Sequence, residues 1–290
     1  MPKEYIIGRH QLLLPDDHQL DQYQARWHRY DTALGYIAQV IFQKYPQASA
    51  IDIGANVGDS SALIQTYQDV PILCIEGNPE FLEYLHHNAA LIGNIEVEES
   101  FVGNDGDIVN FENMDSHDGT ASIVNAVNSD GLFLTELKSL ERILQEHPTF
   151  QNSKLLKIDT DGFDFSIIQT SISVIGNLSP VLFFEYDIFF TSDARDESLK
   201  TLQVLFECGY KSFIVYDNYG NYLLSLSSQD YDKFIDLNTY LFSNRFASGM
   251  AAVYYLDICA FAEADTDLFE KIRQMERQLT IKQVDSEEAV

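Results

Sequence analysis

What is scarce in this chain narrows its chemistry first. Basic residues are few: 18 lysines and arginines stand against 45 aspartates and glutamates, for a net charge of −27. A surface this negative repels phosphate backbones and anionic bilayers, so no nucleic acid and no membrane partner is expected. The excess of acid fits solubility or adaptation to salt as well as substrate selection, so charge alone names no substrate. Long apolar runs are missing too, none reaching the roughly 20 residues that span a bilayer. The opening Met1-Pro2-Lys3-Glu4-Tyr5 lacks a signal-peptide pattern, and a cytoplasmic location is expected. Cys74, Cys208 and Cys259 are isolated, without the spacing of a zinc or redox motif, and read as reduced thiols in apolar settings. No internal repeat or low-complexity linker is visible.

What is present is a chain of 290 residues with 46% hydrophobic content, enough for one large domain with terminal additions. Its organising stretch is Ala50-Ile51-Asp52-Ile53-Gly54-Ala55-Asn56-Val57-Gly58-Asp59-Ser60-Ser61. An apolar strand ends at Asp52–Ile53, turns through two glycines and enters a helix. Such a turn lets backbone N–H groups approach a ligand, and the helix start adds positive potential. The spacing is G-x-N-x-G, not the dinucleotide pattern G-x-G-x-x-G. A second strand, Val70–Ile75, ends at Glu76, 18 residues after Gly58, where a carboxylate can either accept both ribose hydroxyls or cap the next helix. Asn78-Pro79 starts that helix, with Asn78 as N-cap. Further strands are expected at Ile95–Val102, Lys154–Asp159, Pro180–Glu185, Lys211–Tyr216, Tyr222–Leu226 and Met250–Ala260. Residues 1–16 read as a poorly patterned lead-in, about Gln19 to Tyr45 as one amphipathic helix, 112–131 as a polar loop, and Ala264–Lys282 as a terminal helix. Alternating strands and helices imply a doubly wound α/β sheet that binds ligands outside the carboxyl ends of its strands. Asp52, Glu76, Asp105, Asp159 and Glu185 would line that rim.

Ile51–Asp59, Glu76-Gly77-Asn78-Pro79 and Leu156-Lys157-Ile158-Asp159-Thr160-Asp161-Gly162-Phe163-Asp164 together resemble the FkbM-type family of S-adenosylmethionine (SAM) methyltransferases over residues 48–190. Asp161 and Asp164 stand where that family more often carries glutamate, and Ser139-Leu140-Glu141 where it carries T-L-D. The resemblance implies a Rossmann-like class I methyltransferase sheet, mostly parallel with an antiparallel C-terminal edge strand. It implies a methyltransferase domain over 48–262, with an N-terminal helical lid or extension over 1–47 and a C-terminal helix and tail over 263–290. SAM would be the cofactor and S-adenosylhomocysteine (SAH) the product. The turn Gly54, Ala55, Asn56 and Gly58, with Asp59 and Ser60, would hold the methionine moiety, and Asp52 its ammonium. Glu76 would hold the ribose, with Gly77 or Asn78 alongside the adenine. Val102, Gly103 and Asp105 would form the adenine edge, although Asp105 fits an ordinary turn equally well.

The family's activity implies O-methylation of a hydroxyl on a sugar, glycan or specialised metabolite. A hydroxyl nucleophile must lose a proton, and the base candidates are Asp159, Asp161, Glu185 and His117. Asp159 is also expected to touch the cofactor, Asp161 fits a helix cap as well, and His117 fits a solvated loop. Asp159, Glu185 and Asp187 could together hold Mg²⁺, but their spacing is not diagnostic and no metal site is assigned. Tyr30 and Asp31 read as cofactor contacts or as part of a packed outer helix. Tyr216, Tyr219, Tyr222, Tyr240, Phe242 and Phe246 read as a sugar-stacking set or as plain core. A SAM-binding regulatory or scaffold module is the alternative function. A nicotinamide oxidoreductase is disfavoured by the glycine spacing. The acceptor's identity and the oligomeric state are not legible.

Overall fold

The computed structural model describes residues 2–110, 114–117, 120–123, 134–190, 193–247 and 253–287. The chain opens with a hairpin, β1 (Lys3–Ile7) and β2 (His10–Leu14), followed by helices α1 (Leu20–Arg26) and α2 (Thr32–Lys44). The alternation then begins: β3 (Ala50–Ile53), α3 (Asp59–Tyr67), β4 (Ile72–Glu76), α4 (Pro79–Ile92) and β5 (Ile95–Glu99). Short strands β6 (Ile108–Asn110), β7 (Met114–His117), β8 (Thr120–Ile123) and β9 (Leu134–Glu136) precede α5 (Leu140–Glu146). Next come β10 (Leu155–Ile158), α6 (Asp164–Thr170), α7 (Ile172–Leu178), β11 (Val181–Tyr186) and α8 (Ala194–Glu207). The chain continues with β12 (Tyr210–Asp217), β13 (Tyr222–Ser227), α9 (Tyr231–Ala247), β14 (Leu256–Ala262) and α10 (Thr266–Glu287).

Eight strands form one sheet in the order β13-β12-β14-β11-β10-β3-β4-β5. The run β11-β10-β3-β4-β5 is parallel, joined by helical crossovers. The antiparallel edge is β13, hairpinned to β12. The last strand, β14, is also antiparallel but lies inside the sheet, between β11 and β12. Strands covered on both faces carry apolar side chains both ways. Leu156 and Ile51 join the layer of α5, α6 and α8, while Leu155 and Ala50 join the layer of α2, α3 and α10. Each fully buried leucine or isoleucine contributes roughly 1.5–3 kcal/mol. Because side chains alternate with a period of two, Asp52 and Lys157 fall in register on the α2 face at the carboxyl ends of their strands.

Two local expectations are corrected. Residues 3–14 are a regular hairpin, held by the buried Asn88 of α4, whose amide accepts from Leu13 N and donates to Leu13 O and Val57 O. The single helix expected from Gln19 to Tyr45 is broken between Arg26 and Thr32. Trp27 is extended and Asp31 adopts a left-handed backbone at φ 57°, a conformation a helix interior does not tolerate. Arg29 pins the break. Its guanidinium donates to Gly220 O at 3.3 Å and to Glu276 Oε2 at 2.5 Å, joining this segment to the β12–β13 turn and to α10. At Gly220, φ 77°, a Cβ would come within 2.1 Å of Arg29 O, so the contact requires glycine. The Glu276 side chain is fully buried, and removing one partner of such a pair costs more than replacing both by apolar groups. Arg29→Met should therefore lower unfolding stability by about 3 kcal/mol, and Arg29→Met with Glu276→Leu should recover most of it, as read from urea midpoints.

Candidate active site

The strand ends build the site from the glycine turn outward. Gly54, at φ 74°, is held by Gly54 N and Ala55 N donating to Ile75 O at 2.9 and 3.2 Å. A Cβ on Gly54 would lie 1.9 Å from Asp159 O, so the β3 and β10 termini can meet only over glycine. Beneath the turn, Lys157 Nζ is 3.1 Å from Asp52 Oδ1 and 3.3 Å from Asp159 Oδ2, and donates to Gly54 O at 3.2 Å. Burial alone would lower the Lys157 ammonium, but Asp52, Asp159 and Asp59 outweigh it and hold it well above its ordinary value. Asp52 is fully buried and accepts from Ser61 Oγ at 2.8 Å. It supports the turn from below and does not line the cleft, while Ala55 is buried in the turn and Gly58, at φ 87°, starts α3.

A cleft of about 660 Å³, open to solvent, lies over β3, β4 and β5. Gly54, Asn56, Glu76 and Gly77 form its polar side; Phe101, Val102, Leu137 and Phe163 form an apolar one. The Glu76 carboxylate accepts from Asn56 N at 2.9 Å, Gly77 N at 2.9 Å and Asn78 N at 2.7 Å. It therefore caps the next helix start and faces the cleft at once. Burial raises its carboxyl against those three bonds. Asn78 caps α4 through Glu80 N at 3.0 Å. The Phe101 ring stands where a Cβ on Gly77 would fall, 2.4 Å away, so Gly77 admits the ring to the cleft wall.

A second, larger cavity of about 1470 Å³ adjoins the first and shares Gly54, Asn56, Asp159 and Asp161 with it. Its outer wall is aromatic: Trp27 and Tyr219 lie 4.7 Å apart, and Tyr23 lies 5.7 Å from Trp27 and 5.5 Å from Tyr30. Tyr254 and Tyr255 complete it. Its floor is acidic. Glu185 and Asp257 sit side by side in register on β11 and β14, and Asp31, Asp59, Asp159 and Asp161 face the same space. Burial and then Asp159, Asp164, Asp161 and Asp187 push the Glu185 carboxyl well above its usual range. Burial and then Asp31, Asp159, Asp164 and Asp217 do the same to Asp257. Burial, Asp59 and Asp159 push Asp31 up to about 8.

The expected site residues distribute unevenly. Asn56, Glu76, Gly77, Val102, Asp159 and Asp161 line the first cleft, and Asp59, Ser60 and Glu185 the second. Asp105 lies elsewhere, exposed, accepting from Ser139 N and Ser139 Oγ at 2.9 Å each, and Gly103 pairs with Lys138 O beside it. The His117 side chain falls outside the described residues, as does that of Phe246. Among the described residues no three His, Cys, Asp or Glu side chains form a metal-binding group, and Asp187 accepts instead from Phe189 N at 2.7 Å. Of the C-terminal aromatics, Tyr219 reaches the cavity, Tyr216 is core, and Phe242 packs on Phe189. Tyr23, Trp27, Tyr254, Tyr255, Asp257 and Phe101 carried no motif. Only the period of two along β14 could have set Asp257 on a face, and which face depends on pairing.

A parallel sheet with a glycine turn, a carboxylate after the second strand and a cleft at the strand ends defines a Rossmann-like class I methyltransferase. A family model described as the methyltransferase FkbM domain matches residues 52–212, and the chain belongs to that family. No curated protein matches the chain. Among solved structures, it is similar to the methyltransferase FkbM from Methylobacillus flagellatus KT, at 14% identity and a TM-score of 0.41, covering 67% of this chain and 54% of that one. It is also similar to a precorrin-6y C5,15-methyltransferase from Geobacter metallireducens GS-15, at 13% identity and a TM-score of 0.38, covering 75% and 80%. The cofactor of the class is SAM. The residues fit it: a Cβ-free turn at Gly54, an inward carboxylate at Glu76 and an apolar slot under Phe101 suit a nucleoside joined to an amino acid.

The raised Asp31 carboxyl has a sign to its effect on stability. It ionises near its ordinary 3.8 when unfolded and near 8 when folded, so its stabilising share is full below about 4 and is lost as pH rises through 8. Cofactor-free protein should melt higher at pH 6 than at pH 9, and Asp31→Asn should narrow that gap by raising the pH 9 value in a calorimetric scan.

Proposed function

We propose that this methyltransferase moves the methyl group of SAM onto a hydroxyl oxygen of a small-molecule or glycan acceptor. The observation that carries the reading is the meeting of two compartments at Gly54, Asn56, Asp159 and Asp161: one slot-like and apolar, the other wide, aromatic and polar. Glu76 takes the ribose hydroxyls, and Phe101, Val102 and Leu137 enclose the adenine. The Gly54–Gly58 turn and the start of α3, with Asp59 and Ser60, receive the amino-acid end. When bound, SAM supplies a methyl carbon already activated by a sulfonium.

The chain's own task is then to align the acceptor oxygen and take its proton. Glu185 is suited to the proton. It is buried at the boundary of the acceptor cavity, and its raised carboxyl lies closer to a hydroxyl than an ordinary glutamate does. Asp159, tethered by Lys157, is suited to orienting groups where the compartments meet. Asp161, left-handed at φ 49°, holds the turn between them. The aromatic wall offers flat faces to the apolar side of a ring.

Two measurements test the reading. Glu76→Ala should weaken SAM and SAH binding by tenfold or more, on the order of 1.4 kcal/mol, with the circular dichroism spectrum kept; unchanged affinity would leave Glu76 a helix cap only. Glu185→Gln should lower acceptor-dependent SAH release by about 10²–10⁴-fold while SAH affinity stays within twofold. A product carrying its new methyl on nitrogen would refute O-transfer, and a protein that binds SAM without acceptor-dependent release would be a non-catalytic module.

A further inference from the structure

Once the larger cavity is taken as the acceptor compartment, as proposed above, its lining says more about the acceptor than that it bears a hydroxyl. Six carboxylates face the space: Asp31, Asp59, Asp159, Asp161, Glu185 and Asp257. Against them stand His18 and two cations, both already engaged. Lys157 is bound to Asp52 and Asp159, and the Arg26 guanidinium lies over the Trp27 ring at 5.0 Å. The Glu185 residue is only 9% exposed, points into the cavity, and meets no hydrogen-bond donor or cation among the described residues. Asp257, beside it in register, is without one as well. Buried carboxylates without partners are costly, and the fold ordinarily supplies a partner. Here none is supplied among the described residues. The Tyr23, Tyr219 and Tyr255 rings line the same cavity and are of the kind that attracts a desolvated cation.

We infer that the acceptor is a hydroxylated ring bearing a protonated amine, its ammonium seated between Asp257 and Asp31 against the aromatic wall, with the target hydroxyl left to Glu185. An ammonium supplies three donors to the Asp257 and Asp31 carboxyls, which can give up their protons as it takes its seat. The same floor repels an acceptor carrying phosphate or carboxylate.

The test is binding to the SAH-loaded protein at pH 6.5, titrated by ligand-observed NMR with glucosamine, N-acetylglucosamine and glucose 6-phosphate. Glucosamine and its acetyl derivative share the ring and hydroxyls and differ in the charge. Glucosamine should bind on the order of tenfold more tightly than N-acetylglucosamine, the size of one partly desolvated charge contact, and glucose 6-phosphate should bind weakest. Asp257→Asn, or Asp31→Asn if the first variant does not fold, should bring glucosamine to the level of the acetyl derivative with SAH affinity unchanged. Equal or tighter binding of either other sugar, or a preference that survives both substitutions, overturns the inference. SAH affinity is measured first on the same sample. If SAH does not bind, the cofactor reading fails by itself, and the amine preference is scored on the unloaded protein.

Discussion

The Lys157 ammonium, enclosed between Asp52 and Asp159 and bonded to Gly54 O, is the constraint on which this architecture rests. Lys157 and Asp52 are register partners on adjacent parallel strands, so their attraction acts across the β10–β3 pair inside the sheet. Both side chains are nearly or fully buried. Loss of either would strand an uncompensated charge, the situation that makes broken buried pairs costly. Ser61 brings α3 into the arrangement through Asp52, and Gly54 lets the two strand ends close over it. The position of Asp159 at the junction of the compartments follows from this tether.

Around that fixed point the molecule divides its work by chain segment. Every residue of the smaller cleft lies between Ile53 and Ile167, inside the span that matches the FkbM family model. The larger cavity is different. Tyr23, Trp27, Tyr30 and Asp31 come from before that span, and Asn218, Tyr219, Tyr254, Tyr255 and Asp257 from after it. The Arg29 contacts to Gly220 and Glu276 bind these outlying pieces to one another. A cleft built inside the family's span beside a cavity assembled from outside it is how one fold can serve many functions.

The contrast between halves also explains what could be read from residues. The glycine turn, Glu76 and the Asn78-Pro79 helix start are local features whose geometry depends on neighbours a few positions away; Gly54, Asn56 and Glu76 line the smaller cleft, and Asn78 caps α4. The alternation of strands and helices was legible because apolar runs alternate with amphipathic ones. Asp105 stayed open to two readings because a turn aspartate looks the same whether it faces a ligand or, as here, the Ser139 cap. The helix expected from Gln19 to Tyr45 misled because Trp27 and Tyr30 fit helical spacing with Leu34 and Ile37, though only the latter two belong to α2. The first two turn instead into the cavity, where distant Tyr219 meets Trp27.

By itself, then, the sequence determined the class of fold and the kind of cofactor, because a strand, a turn and a helix start encode a binding geometry within a dozen residues. The tertiary structure alone decided the larger cavity. Its acid pair Glu185 and Asp257 are 72 positions apart in the chain and its aromatic pair Trp27 and Tyr219 are 192 apart. Nothing in either segment records the other. They meet because β14 enters the sheet antiparallel beside β11, and because the half-buried Arg29 draws the N-terminal segment onto the β12–β13 turn. Strand pairing and buried charge, being interactions through space, fixed what no local pattern could carry.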